Sequence, residues 1–488
     1  MSTVQRVAKN TTVLLAAQIA SYLLAFFYMM YTARYLGPAS FGILSFALAF
    51  TGIFAVFGDL GLRPLTVREV ARDKSLAPKY LANVSLMKII LVAITFGLIA
   101  LTINLMGYPE ETIKVVYLLA LFVIFQAFTQ MFYAIFQAFE RMEFQAIGQM
   151  LNAVLILSGV IFAIKLGFSV VGFASLYVIA SSIVLGYSFA VMRLKFSSNP
   201  APASAAKALE FDWSFWKPTM KEALPFGLTG MFGMIYTYID SVMLSLMQGD
   251  AVVGWYNAAY RLILVLLFIP SAFGIAVFPS MSRFYITSQS SLRSSVEKYF
   301  KYMVILAVPI GVGTTLLAQR IILLVFGMGY THSIIALQIL IWTIVITFAG
   351  AAFVKLFEST DRQIVVAKVA GICMAVNIIL NLLLIPRFSY VGASAATVVT
   401  EFILVGSIFV FARKVGYAIP QGVLVKGISK VAIATSVMGA FVWHFESLNL
   451  LVLVLLAILL YFGVLYIIRG IDKEDVSLFR QVIKPERS

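Results

Sequence analysis

Gly37-Pro38-Ala39-Ser40-Phe41-Gly42 and Gly249-Asp250-Ala251-Val252-Val253-Gly254 share the pattern Gly-x-Ala-x-x-Gly, 212 residues apart. Two weaker matches follow in the same order. Phe139-Glu140-x-x-Glu143-x-Gln145 returns as Phe357-Glu358-x-x-Asp361-x-Gln363, an offset of 218, and Val171-Gly172 returns as Val391-Gly392, an offset of 220. None is diagnostic alone, but three in order at nearly constant spacing mark a duplicated unit. In so apolar a chain, a duplicated bundle points to a transporter that works two halves about a central site.

Composition sets the solvent. A soluble domain is about half apolar and a quarter charged, whereas this chain is 62% hydrophobic and 12% charged, with a mean hydropathy of +0.99. A membrane span needs about 20 mostly apolar residues. Fourteen stretches between 13–33 and 448–468 qualify. The first is too long for a signal peptide, lacks a small-residue cleavage site and runs straight into the first copy of the repeat.

Charge then orients the spans. With the N-terminus in the cytoplasm, 29 of the 36 Lys and Arg fall on inward segments. Only Arg34, Lys114, Lys165, Arg320 and Arg387 fall outward, and Lys88 and Arg261 lie within spans. This asymmetry places both termini in the cytoplasm of a multi-pass plasma-membrane protein. The net charge of +15 is therefore topology and contact with anionic membrane lipids. Spread over separate segments, it makes no nucleic-acid patch.

The expected fold is an all-α membrane protein of about 14 transmembrane helices. Residues 1–193 form an N-terminal six-helix lobe and 223–414 a second, parallel to the first because six is even. Residues 194–222 link them through a flexible Pro/Ala/Ser-rich run at 197–206 and an amphipathic segment, Phe211-x-Trp213-x-x-Trp216-Lys217, on the inner surface. Residues 415–488 add two helices and a charged tail.

Enzyme signatures are missing from the sequence: it has no Walker-type phosphate loop and no Gly-x-Ser-x-Gly elbow. The two histidines, His332 and His444, are not spaced as metal ligands, and the single cysteine, Cys373, sits in an apolar span. No catalytic residue, cofactor or metal is expected. Any transport draws on an ion gradient, the membrane potential or the substrate gradient.

Ionisable residues inside spans are the first candidates for function, because each is costly unless paired or hydrated. Asp240 and Arg261 stand symmetrically about the outer turn between spans seven and eight, each roughly 10 Å below its outer end. Thr229, Tyr236 and Asp240 share one helix face, and Asn257 and Arg261 another. Two polar faces at one depth suggest a hydrated cavity holding an ion pair; the plain alternative is a salt bridge that fixes helix packing. Lys88 either serves such a cavity or snorkels to the headgroups. Glu401, in span twelve, is a candidate proton or cation site. Arg34 faces either a cavity mouth or headgroups. Gln126, Gln130, Tyr133 and Gln137 make a polar stripe on span four that must face protein or water.

Longer motifs carry a resemblance. Tyr35-Leu36-Gly37-Pro38-x-x-Phe41-Gly42, Asp59-Leu60-Gly61-Leu62 ahead of Arg68-Glu69-Val70-Ala71-Arg72, Asp240-x-x-Met243-Leu244 and Asn381-x-x-Leu384-Ile385-Pro386 span most of the chain. It resembles the polysaccharide-transporter branch of the multidrug/oligosaccharidyl-lipid/polysaccharide exporters. The resemblance implies a V-shaped pair of lobes around a central cavity. It also implies a flippase carrying lipid-linked oligosaccharide, on polyprenyl phosphate or pyrophosphate, to the outer leaflet for surface-glycan assembly, with glycan-assembly enzymes as possible partners. Arg261 would contact the phosphate, with Asp240, Asn257, Tyr236, Arg34 and Lys88 around the substrate and Asp240 or Glu401 carrying a coupling ion. The alternative within the superfamily is an ion-coupled multidrug and toxin exporter, whose organic cations suit acidic residues such as Asp240 and Glu401.

Overall fold

The structure is a computed structural model that describes residues 3–196, 212–417 and 421–471. The linker run 197–206, Phe211 and the tail from 472 lie outside the described residues. Among the described residues there is no strand. The helices are α1 (Thr3–Phe54), α2 (Leu62–Arg72), α3 (Ala77–Leu105), α4 (Glu110–Ala138), α5 (Met142–Leu166), α6 (Val170–Val191) and α7 (Trp213–Gln248). After these come α8 (Asp250–Leu266), α9 (Phe268–Thr287), α10 (Gln289–Val325), α11 (Ser333–Ser359), α12 (Gln363–Lys414), α13 (Gln421–His444) and α14 (Leu450–Ile467).

Twelve helical stretches among the described residues are long and apolar enough to cross a membrane, with α8 and α9 making one of them. Helices dominate because a lipid interior offers no partner to a free backbone N–H or C=O. Two of the helices are 52 residues long, α1 and α12. At 1.5 Å per residue each is about 78 Å, against a hydrocarbon core of about 30 Å. Each is broken once inside: α1 at Gly37 (φ 71°, ψ 173°) and α12 at Ser389 (φ 53°, ψ −136°). Pro38 enforces the first break, because proline drives the preceding residue out of the helical region. Only glycine takes the resulting positive φ without strain.

Left-handed residues recur along the chain in one order. Gly37, Gly107, Glu140 and Gly167 are followed by Gly249, Gly327, Asp361 and Ser389, all with positive φ, at offsets of 212, 220, 221 and 222. The backbone therefore registers Glu140 with Asp361 rather than with Glu358, shifting that match from 218 to 221. Both sit two residues past a helix end in the same closure. The N–H of Arg141 donates to Phe136 O (2.8 Å) and that of Arg362 to Phe357 O (2.8 Å). A terminating residue is chosen by the carbonyls it must close, so side-chain similarity three residues earlier is the weaker guide.

The two Gly-x-Ala-x-x-Gly motifs pack on each other. A methyl on Gly42 would lie 1.7 Å from Asp250 O, and one on Gly254 would lie 2.0 Å from Pro38 O. The last glycine of each copy thus seats against the opening turn of the other. Small residues of this kind let helix backbones approach closely where lipid gives no hydrophobic drive.

Cα packing divides the chain into two compact units, 1–261 with 377–393, and 262–376 with 394–488. The core of the first includes Leu62, Leu65, Val84, Met131 and Ile135. Here α7 runs as one helix from Trp213. Asp212 caps it by accepting from Phe215 N (3.2 Å) and pairs with Lys79 (2.7 Å), while Trp216 Nε1 donates to Asn83 (3.2 Å). Lys79 and the Ser214 hydroxyl hold the Asp212 carboxyl well down, at about 2. In the second unit α13 and α14 pack on α10. Tyr461 donates to Ile305 O (2.7 Å), and Arg320 donates to Glu446 O and Leu448 O (2.6 Å each).

Candidate functional site

Asp240, buried near the C-terminal end of α7, accepts hydrogen bonds from two other helices. Tyr256 on α8 donates to Oδ2 (2.7 Å) and Asn381 on α12 donates to Oδ1 (2.6 Å). Asn381 also donates to Asn377 Oδ1 one turn away (3.0 Å). One residue on, Asn257 Nδ2 donates to Ser241 Oγ (3.0 Å). All of these side chains are buried. Asn377 Nδ2 and Asn381 Oδ1 have no hydrogen-bond partner among the described residues. Asn–carboxylate clusters offer oxygens suited to a proton or a hard cation, and unmet buried amide atoms are costly unless something polar meets them.

Arg261 is not brought into a pair with Asp240. The 240–256 and 241–257 contacts set the hairpin register about Gln248–Gly249. Arg261 therefore stands level with Tyr236, about one turn, or roughly 6 Å, further from the α7–α8 turn than Asp240. Equal distance from an assumed loop centre had put them level; the helices run closer to the turn than that loop allowed. Arg261 is half-buried and, among the described residues, forms no ion pair. Tyr28 on α1 and Tyr177 on α6 lie within its electrostatic reach, and their rings meet edge to face at 6.5 Å.

The other candidates are placed as follows. Lys88 does not snorkel: it is fully buried, and its Nζ donates to Asp59 Oδ1 (2.5 Å) and Ala127 O (3.3 Å). Arg34 is exposed on α1 just before the Gly37 break, and Tyr236 is half-buried on α7. Glu401, in the second unit, accepts from Thr347 Oγ1 (2.6 Å). On α4 the glutamine stripe divides. Gln126, Gln130 and Tyr133 line a cavity, whereas Gln137 donates to Gln145 (2.7 Å).

Sequence reasoning missed Tyr256, Tyr28 and Tyr177, because tyrosine is ordinary in membrane helices. The partner of Lys88 was within reach. Asp59 and Lys88 stand symmetrically about the turn at Asp73–Lys74, so hairpin symmetry names the pair. Removing one member of a buried pair strands the other. Asp59 is 29% exposed and Lys88 0%, so Asp59 rehydrates when alone and Lys88 does not. Asp59→Asn is expected to cost about 3–5 kcal/mol and Lys88→Met distinctly less. Thermal unfolding in detergent checks this; equal losses would refute the asymmetry.

Broken long helices, a buried polar cluster and a lone half-buried guanidinium within the spans define a multi-span membrane transporter fold. Solved structures agree on the fold. The inward closed lipid II flippase MurJ matches with a TM-score of 0.76 at 17% identity, covering 97% of this chain and 100% of its own. An inward-facing multidrug resistance transporter of the MATE family matches at 0.67 and 17% identity, covering 81% and 94%. The chain belongs to the family described as polysaccharide biosynthesis protein, which matches residues 7–285. A probable low-salt glycan biosynthesis flippase of Haloferax volcanii is 22% identical over 393 residues, 80% of each chain. A capsular polysaccharide biosynthesis protein of Staphylococcus aureus is 23% identical over 424 residues, 83% of this chain and 99% of its own.

Proposed function

We propose that this protein is a flippase that moves lipid-linked oligosaccharide, of the polyprenyl phosphate or pyrophosphate type, from the cytoplasmic to the outer leaflet for surface-glycan assembly. It acts by alternating access and makes or breaks no covalent bond. Family membership sets the substrate class. The single observation that carries the mechanism is Arg261: a half-buried guanidinium at span depth, without an ion pair among the described residues. A guanidinium is suited to phosphate, which it grips through two parallel hydrogen bonds. Tyr236, level with it on α7, Asn257 on its own helix and exposed Arg34 complete the substrate surface, and Lys88 supports it through Asp59.

The layout follows the same reading. Counting α1 and α12 as two crossings each makes fourteen, and the recurring left-handed residues support a duplicated pair of six-helix lobes, 1–193 and 223–414. Residues 194–222 link them and 415–488 follow. Both termini face the cytoplasm of the cell membrane, in keeping with the distribution of Lys and Arg.

The coupling ion belongs at Asp240, where Asn377 and Asn381 supply further oxygens; Glu401, bonded to Thr347, is the second acidic position. Reconstitution tests both parts. Proteoliposomes are expected to move a fluorescent polyprenyl diphosphate-linked sugar, with a rate that responds to an imposed H⁺ or Na⁺ gradient. Asp240→Asn is expected to remove that response, and Glu401→Gln to leave it. A gradient response that survives Asp240→Asn sinks the coupling assignment. The multidrug alternative, for which the likeness to the MATE fold speaks, requires the same vesicles to move a cationic dye and not the lipid.

A further inference from the structure

The first unit holds a cavity of about 280 Å³ walled by α1, α4, α5 and α6. Its wall includes Gln126, Gln130, Gln149 and Asn152, with the rings of Tyr28 and Phe122 beside them. Among the described residues, no Asp, Glu, Lys, Arg or His lines it. Gln130 Oε1 and Gln149 Oε1 are buried and meet no hydrogen-bond partner among the described residues. A buried acceptor left unmet costs about 1–3 kcal/mol, so two of them at one cavity describe a wall built for something that donates. Without formal charge the wall does not select an ion by net charge, and its amides are free to meet a neutral polyhydroxyl group. Amide groups that donate and accept, set beside aromatic faces, match the hydroxyls and C–H faces of a sugar ring.

The cavity also has a charged neighbour. Tyr28, part of its wall, lies within electrostatic reach of Arg261. The neutral compartment is thus near the guanidinium assigned above to phosphate, as a sugar diphosphate requires.

We infer that this cavity is a subsite for an uncharged sugar ring of the lipid-linked substrate, with the adjoining phosphate at Arg261. The inference rests on the flippase reading and names the part of the substrate that this unit recognises. Gln130 and Gln149 accept from sugar hydroxyls, Gln126 and Asn152 supply amide groups, and Tyr28 and Phe122 cover a ring face.

The test compares two probes on purified protein: farnesyl diphosphate carrying one N-acetylglucosamine, and farnesyl diphosphate itself. Wild type is expected to bind the glycosylated probe more tightly. The Gln130→Leu/Gln149→Leu double variant is expected to lose roughly tenfold in affinity for it, as two neutral hydrogen bonds imply, while its affinity for the bare diphosphate stays unchanged. Replacing unmet buried acceptors by apolar groups of similar size is close to neutral for folding, and retained binding of the bare probe reports an intact Arg261 region. Asn152→Leu gives an independent second reading of the same selectivity. Equal affinity of wild type for both probes, or parallel losses for both in the variants, overturns the sugar subsite and leaves the flippase reading standing. Failure of wild type to bind either probe overturns both.

Discussion

Arg261→Ala, expressed and folded, is expected to flip polyprenyl-linked oligosaccharide about a hundredfold more slowly than wild type. Hydrogen bonds to a charged group are worth about 1.5–3 kcal/mol each, and a guanidinium that grips phosphate makes two. Solvent screening and partial replacement by water trim the sum to roughly 3 kcal/mol, which is that factor. Arg261→Lys keeps the charge but loses the planar fork, so an intermediate rate, about tenfold below wild type, is expected. The readout is initial flipping rate in proteoliposomes at matched protein density. A normal rate for Arg261→Ala removes the phosphate contact from this residue, and an equal loss in Arg261→Lys and Arg261→Ala makes the requirement geometric rather than electrostatic.

Gly42→Ala and Gly254→Ala are each expected to destabilise the protein by about 3 kcal/mol or more, at the upper end of overpacking costs. The added methyl meets backbone carbonyl oxygens, Asp250 O at 1.7 Å or Pro38 O at 2.0 Å, and not the tip of a flexible side chain. The helices must therefore part. Because both contacts belong to one interface, the double variant should cost clearly less than the sum. Gly97→Ala and Gly186→Ala are the controls: nothing lies within 4 Å of the added atom at either place, and alanine favours a helix over glycine by about 0.5–1 kcal/mol. Thermal unfolding in detergent separates the pairs. Wild-type stability in Gly42→Ala would mean that the two motifs do not meet in the working protein.

Much of this was legible in the residues, and the failures have a common cause. Hydropathy located the spans because lipid leaves the backbone one way to satisfy itself. The Gly-Pro pair at 37–38 announced a break, and the repeat announced its second occurrence at Gly249. The break in α12 was legible as the gap between spans ending at 385 and beginning at 390, but Ser389 as the residue taking the positive φ was not, since no proline follows it and serine tolerates many conformations. Among the candidate residues, the levels of Asp240 and Arg261 differ by about one turn, and that turn mattered. Arg261 moved from Asp240 to the level of Tyr236 once the hydrogen bonds of Tyr256 and Asn257 set the register. Lys88 moved from a headgroup to Asp59. The glutamine stripe of α4 was visible, but not its split between a cavity wall and the Gln137–Gln145 bond.

Composition and the spacing of motifs were enough to establish an all-helical membrane bundle of the exporter type, because hydrophobic length and helical period act along one chain segment at a time. Which polar side chains face each other was decided only by tertiary structure. A helix face is set by rotation about its axis and by the register against its neighbours, and a few residues of either carry a carboxylate from an arginine to an asparagine. The same holds for Gly42 and Gly254: their pattern is local, but the carbonyl each must accommodate belongs to the other copy.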